Sequence, residues 1–236
     1  MKKLALFAAA LALVTFTPAA ASGMSADPRH RLRFGVATNW AGYFASGGPF
    51  TSVSTTWTEP SISCPAGSHS ALASFAGLDG ANNGTVEQIG TVSMCGNGRV
   101  AHTAFYEMFP RGPNSIGKQV QAGDSLTATV TATTSKLFTL TLMNNSKGWS
   151  FSTQQRSSKA QRTSAEAITE APTRRGSGVV NLANFGTINY SNPTANGLSF
   201  AGLGANGVTM ESNAGVIKAE PSGLSTTGFS VMWVHA

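Results

Sequence analysis

Charge is scarce in this 236-residue chain: 11% of its residues are Asp, Glu, Lys or Arg, less than half of the roughly 25% usual in globular domains. Only three aspartates occur, Asp27, Asp79 and Asp124, and none stands in the Asp-Thr/Ser-Gly setting of an aspartic-protease dyad. The four histidines, His30, His69, His102 and His235, form no His-Glu-x-x-His run and no Cys/His cluster. That excludes the common zinc-hydrolase patterns and leaves no metal or cofactor implied. No Gly-x-Ser-x-Gly elbow is present, so a serine nucleophile on an α/β-hydrolase scaffold is excluded as well. The 16 basic residues are scattered or confined to an entry segment, Arg29, His30, Arg31 and Arg33. No basic face with interleaved aromatics results, which argues against a nucleic-acid partner.

Long apolar runs are also missing, except at the start. Lys2 and Lys3 precede an apolar stretch from Leu4 to Phe16, followed by Pro18 and the small residues Ala19, Ala20 and Ala21. This is the pattern of a secretory signal peptide cut after Ala21, too short to span a bilayer. The expected product is an exported protein with no membrane partner, in which residues 22–38 form a leader or short pro-segment. A single domain from 39 to 236 follows, large enough for a substantial core. Two cysteines in an exported chain, Cys64 and Cys95, make one disulfide the default expectation. It should tie the loop after the Trp57 strand to the end of the Gln88 strand. Asn83, Asn144 and Asn189 fit the N-glycosylation pattern.

What the chain has in quantity is Gly, Ser, Thr, Asn and Ala, arranged in short alternating stretches between turn signals. Leu126, Ala128, Val130 and Ala132 alternate with threonines, and Phe138, Leu140 and Leu142 repeat the pattern. A period of two with Thr-rich outer faces predicts antiparallel sheets, each with one side buried. Further strands are expected at 39–44, 53–58, 71–78, 86–92, 103–108, 148–152, 186–190, 208–211, 216–219 and 229–235. More than ten strands and no convincing helix imply an all-β sandwich of two packed antiparallel sheets. One stretch is ambiguous: Thr163-Ser-Ala-Glu-Ala-Ile-Thr-Glu-Ala-Pro172 carries Glu three places after a Ser/Thr, which is how a capped helix begins. As a strand it would instead put Glu166, Ile168 and Glu170 on one face.

Eight short motifs stand in order: Asn39-Trp-Ala-Gly-Tyr43, Thr56-Trp-Thr-Glu-Pro60, Gly77-Leu-Asp-Gly80, Val86-Glu-Gln-Ile-Gly90, Tyr106-Glu-Met-Phe-Pro110, Gly148-Trp-Ser-Phe-Ser152, Ser164-Ala-Glu-Ala-Ile-Thr-Glu170 and Leu182-Ala-Asn-Phe-Gly186. Together they resemble the glutamic peptidase (eqolisin) family, particularly its bacterial-type members. The resemblance implies a secreted acid endopeptidase on a concanavalin- or legume-lectin-like sandwich, acting on polypeptides as a monomer without a cofactor. It also implies a catalytic pair of Gln88 and Glu170 and resolves the ambiguous stretch as a strand. Asp79 and Glu107 are implied as supporting groups, Trp40 and Phe75 as residues along the substrate groove, and Glu166 as a supporting or rim carboxylate.

The chemistry is consistent with those types. Hydrolysis of an amide by water needs a base for the water's proton and a donor where the carbonyl oxygen becomes negative. Glu170 can serve as the base, and the Gln88 amide as the donor. The pair is expected on neighbouring strands, within one water's span. The chain departs from the family pattern at Phe75, at Ala101-His-Thr-Ala-Phe105 and at Ala167, where larger aromatics are usual, and each change is expected to shrink or remove an aromatic wall of the site. The competing reading is a lectin-like or catalytically impaired binding module. Three aspartates supply a poor Ca²⁺ site for most lectins of that architecture.

Overall fold

The computed structural model describes residues 35–174 and 176–236, together with the backbone of Met24–Ser25. The expected signal peptide and most of the expected leader lie outside the described residues. Nineteen strands appear in it: β1 (Met24–Ser25), β2 (Val36–Ala37), β3 (Trp40–Ser46), β4 (Ser52–Thr58), β5 (His69–Leu78), β6 (Val86–Gly96), β7 (Arg99–Phe109), β8 (Asn114–Gln119), β9 (Ser125–Ala132), β10 (Leu137–Asn144), β11 (Trp149–Arg156), β12 (Ser164–Glu170), β13 (Thr173–Arg174), β14 (Gly178–Val179), β15 (Thr187–Ala195), β16 (Leu198–Ser199), β17 (Asn206–Glu211), β18 (Ile217–Pro221) and β19 (Gly228–Trp233). No helix occurs among the described residues.

The strands form two packed halves. One runs β11-β10-β9-β4-β15-β19-β18-β17 and the other β3-β12-β5-β6-β7-β8, and the antiparallel pairing of β17 with β3 joins them along one edge. Alternation explains the packing. Leu126, Ala128, Val130, Phe138, Leu140 and Leu142 are fully buried and meet Leu72, Leu78, Ile89 and Met108 of the second half in one core. Each large apolar side chain so buried contributes about 1.5–3 kcal/mol. A second apolar cluster, which includes Trp40, Ala73, Phe75, Val86, Val92, Phe105, Phe109 and Ile168, lies on the opposite face of the second half.

The sequence expectations for the long strands hold within a few residues. β8 was not foreseen, because Asn-Ser-Ile-Gly-Lys-Gln is exposed at every position but one and carries no alternating signal. The ambiguous stretch is the strand β12, lodged between β3 and β5 and buried at all seven residues. The amides of the stretch are taken up in pairing with β3 and β5, and Asp79 braces the entry by accepting the N–H groups of Gln161, Arg162 and Thr163 just ahead of it. Cys64 and Cys95 are joined, with their Cα atoms 5.3 Å apart, and link the loop after β4 to the end of β6. Of the glycosylation-pattern asparagines, Asn144 is buried against Asp124 and Asn83 donates to Asp79 and Thr163, whereas Asn189 is exposed.

Candidate active site

Alternation along the second half decides which side chains share the outward face with Phe75 and Ile168. On β6 the even positions point there, which includes Gln88; on β7 the odd positions do, which includes Glu107. On β12 the same face receives Glu166 and Glu170, and on β3 it receives Trp40. Three carboxyl groups, one primary amide and an aromatic pair thus meet on one sheet. All four polar side chains are fully buried.

Strand register orders them into rows. One row crosses five strands as Glu107, Gln88, Gly77, Glu166 and Phe44. Another contains Val92, Ala73, Glu170 and Trp40. Between them lies the row Gly90, Phe75, Ile168 and Gly42. At both ends of that middle row the backbones approach too closely for a side chain. A Cβ on Gly90 would stand 2.0 Å from the Ser74 carbonyl oxygen, and one on Gly42 would stand 2.4 Å from that of Ala167. Glycine is required at both places.

Hydrogen bonds fix the two expected catalytic side chains. Gln88 Nε2 donates to Glu107 Oε2 at 3.0 Å. Asn39 Nδ2 donates to Glu170 Oε1 at 2.8 Å, and the Asn39 carbonyl accepts the Ala171 amide, so one residue holds both the side chain and the backbone at the end of β12. Trp40 meets Phe75 edge to face at 5.8 Å, and the two form an aromatic wall beside Glu170.

Two expectations need correction. Gln88 and Glu170 do not project from neighbouring strands: β5 separates β6 from β12. Along the strands they are offset by four residues, and Gln88 is level with Glu166 instead. With strand spacings of roughly 4.8 Å and rises of roughly 3.3 Å, their Cα positions are offset by about 10 Å across and 13 Å along the sheet, so the two side chains can approach only by leaning toward each other over β5. The reason is that pairing register is set by β5, which places Gly77 between Gln88 and Glu166. Ala167, read as a lost aromatic wall, faces the inner core beside Tyr43 and Ala76, not the site. Phe75 does face the site.

Burial, reinforced by the neighbouring carboxyls of Asp79 and Glu87 and only partly offset by Ser164, pushes Glu166 well above the ordinary carboxylate range. Glu87, which points to the inner side between the sheets, is pushed up to about 8, again chiefly by burial. Asp79 is a brace: besides three backbone amides it accepts Asn83 Nδ2 at 2.6 Å, fixing the entry of β12 against the end of β5.

Sequence reasoning missed two polar residues. Asn39 stands in the Asn39-Trp-Ala-Gly-Tyr43 motif, but its contact to Glu170 spans 131 positions and leaves no local signal. Glu59 is buried and accepts from Thr91 at 2.6 Å, Ser93 at 2.5 Å and His102 at 3.0 Å. Its partners Thr91 and Ser93 place it on the inner side of the sheet.

The sequence pattern of the peptidase A4 family matches residues 38–231. Scytalidopepsin B of Scytalidium lignicola is 32% identical over 159 residues, which cover 64% of this chain and 60% of that protein. The solved structure of scytalido-glutamic peptidase with a transition state analog inhibitor superposes with a TM-score of 0.73 at 26% identity, over 84% of this chain and 98% of that one. SCP-B, described as a member of the eqolisin family in complex with the tripeptide Ala-Ile-His, gives 0.68 at 26% identity, again over 84% and 98%. Every row of the site lies inside the matched stretch, and the chain belongs to the peptidase A4 family, the glutamic peptidases or eqolisins.

Proposed function

We propose that the protein is an exported acid endopeptidase of bacterial type that hydrolyses polypeptides as a monomer, with Glu170 as the base and Gln88 as the oxyanion donor. One observation carries the reading: a buried amide and buried carboxyls share one sheet face with an aromatic wall, within the segment that matches the family. Relatives holding a peptide or a transition state analog support a polypeptide substrate.

Glu166 stands level with Gln88, yet its carboxyl keeps its proton in acid and cannot accept another from water. Glu170, oriented by Asn39, is left as the base. A scissile peptide lying obliquely across β5 would bring its carbonyl toward Gln88, and the Glu170 side chain, leaning over β5 from the far row, would deprotonate a water on the other side of that carbonyl. The Gln88 N–H not engaged by Glu107 stabilises the developing oxyanion, and Glu170 then passes its proton to the leaving amine.

The test is degradation of denatured casein or haemoglobin from pH 2 to 7, with pepstatin and a chelator as controls. Cleavage confined to acid and insensitive to both reagents is expected. A protein inert at every pH returns the chain to a lectin-like binding module.

A further inference from the structure

Gly77 is a gap in the site face. It is the strand partner of both Gln88 and Glu166. A β-carbon placed on it would stand 3.4 Å from Gln88 Cβ and 3.4 Å from Glu166 Oε2. The two side chains therefore lie together over a residue that has none.

Their hydrogen bonding is incomplete in a matching way. Gln88 Nε2 is engaged by Glu107, but its Oε1 is buried and accepts nothing. Both carboxyl oxygens of Glu166 are buried and lack a well-formed hydrogen bond, with the Ser164 hydroxyl and the Ala81 amide as the donors beside them. An amide oxygen needs a donor, and only the neutral carboxyl of a glutamate carries one. Leaving such groups unmatched in the interior is costly, which favours their pairing.

We propose that Glu166 is a positioning residue that donates its carboxyl proton to Gln88 Oε1, locking the amide so that its N–H groups face Glu107 and the substrate carbonyl. This rests on Gln88 being the oxyanion donor. Among the described residues, the titratable groups around Glu166 are Asp79 at the end of β5, Glu87 on β6, Glu107 on β7 and Glu170 on its own strand; β3 contributes Phe44. None is a cation, and burial together with Asp79 and Glu87 keeps the carboxyl neutral through the acid range. When Glu166 ionises it can only accept, and the Gln88 amide loses its orientation. The alkaline fall of kcat then reports Glu166.

The test is kcat and KM on an unfolded peptide substrate from pH 2 to 8 for the parent, Glu166→Gln and Glu166→Leu, with near-UV circular dichroism to verify folding. Glu166→Gln keeps a donor at every pH. Its kcat at pH 4 is expected to stay near the parent's, with the alkaline limb moved up by about one pH unit or more and KM unchanged. Glu166→Leu should lose kcat by about 10- to 100-fold with little change in KM, the scale of a misplaced catalytic group. An alkaline limb for Glu166→Gln at the parental pH overturns the inference, and that profile decides alone if Glu166→Leu does not fold. A parent inert at every pH removes the peptidase reading and this one with it. An active parent with an unshifted Glu166→Gln limb removes this one only.

Discussion

At the scale of single residues, the site face divides its acidic groups by environment. Glu170 is held by a donor, Glu107 is engaged with Gln88, and Glu166 is kept neutral by burial and like charge. Replacing Gln88 with Ala removes the oxyanion donor. The expected result is a fall in kcat of about 100- to 1000-fold, equivalent to about 3–4 kcal/mol, with the fold retained; a change under about fivefold in kcat, measured on a peptide substrate, would remove Gln88 from that role. Asn39→Ala removes one donor from Glu170 without touching its charge. We expect lower kcat, with an altered pH profile rather than a change in KM alone. The residue types were legible in the sequence, since Gln88, Glu170, Glu107 and Trp40 all stand in motifs and all reach one face. Their spacing was not legible. It depends on which residue of β5 sits between Gln88 and Glu166, and a glycine there leaves no pattern to read.

At the scale of elements, β12 shows how tertiary context overrides a local signal. Thr163 to Glu166 has the form of a capping box, but Asp79 satisfies the amides ahead of the strand, and both faces of β12 are buried between β3 and β5. Asp79→Ala is therefore expected to loosen the entry of β12 and destabilise the protein by about 1–3 kcal/mol, through three orphaned amides and a lost brace. A urea midpoint equal to the parent's would show that the brace contributes nothing. The strands with alternating Thr and aliphatic residues, β9 and β10, were legible because one side of each is solvated. β8 was not, since it is an exposed edge that pairs only with β7. The disulfide was legible from cysteine count and expected export, and it closes a loop of 31 positions. Opening it with a Cys64→Ala/Cys95→Ala pair should lower stability by roughly 3–4 kcal/mol in the chain-entropy picture.

At the scale of the whole molecule, seven acidic residues are buried among the described residues: Glu59, Asp79, Glu87, Glu107, Asp124, Glu166 and Glu170. This gives the fold a definite pH preference. Glu87 and Glu166 have folded pKa values raised above the ordinary carboxylate value, so their neutral forms favour the native state. That stability is fully present below about pH 4.5 and is lost as pH rises through about 8 for Glu87. Asp124 runs the other way. Although burial pushes it up, hydrogen bonds from Lys147, Asn144 and the Gln121 amide hold it lower than usual, so its contribution fades only as pH falls through that lowered value. The mature fold should therefore survive at pH 4 and show a urea midpoint higher at pH 4.5 than at pH 8, with Glu87→Gln flattening the difference. A midpoint that rises toward pH 8 would contradict this. The central claim is that an acid peptidase works here through Glu170, and the most direct measurement is cleavage of denatured haemoglobin at pH 4 by Glu170→Gln beside the parent and Glu166→Gln. Cleavage by the parent and by Glu166→Gln, with none by a folded Glu170→Gln, is the predicted result; parental cleavage by Glu170→Gln, or loss of cleavage in Glu166→Gln alone, would contradict it.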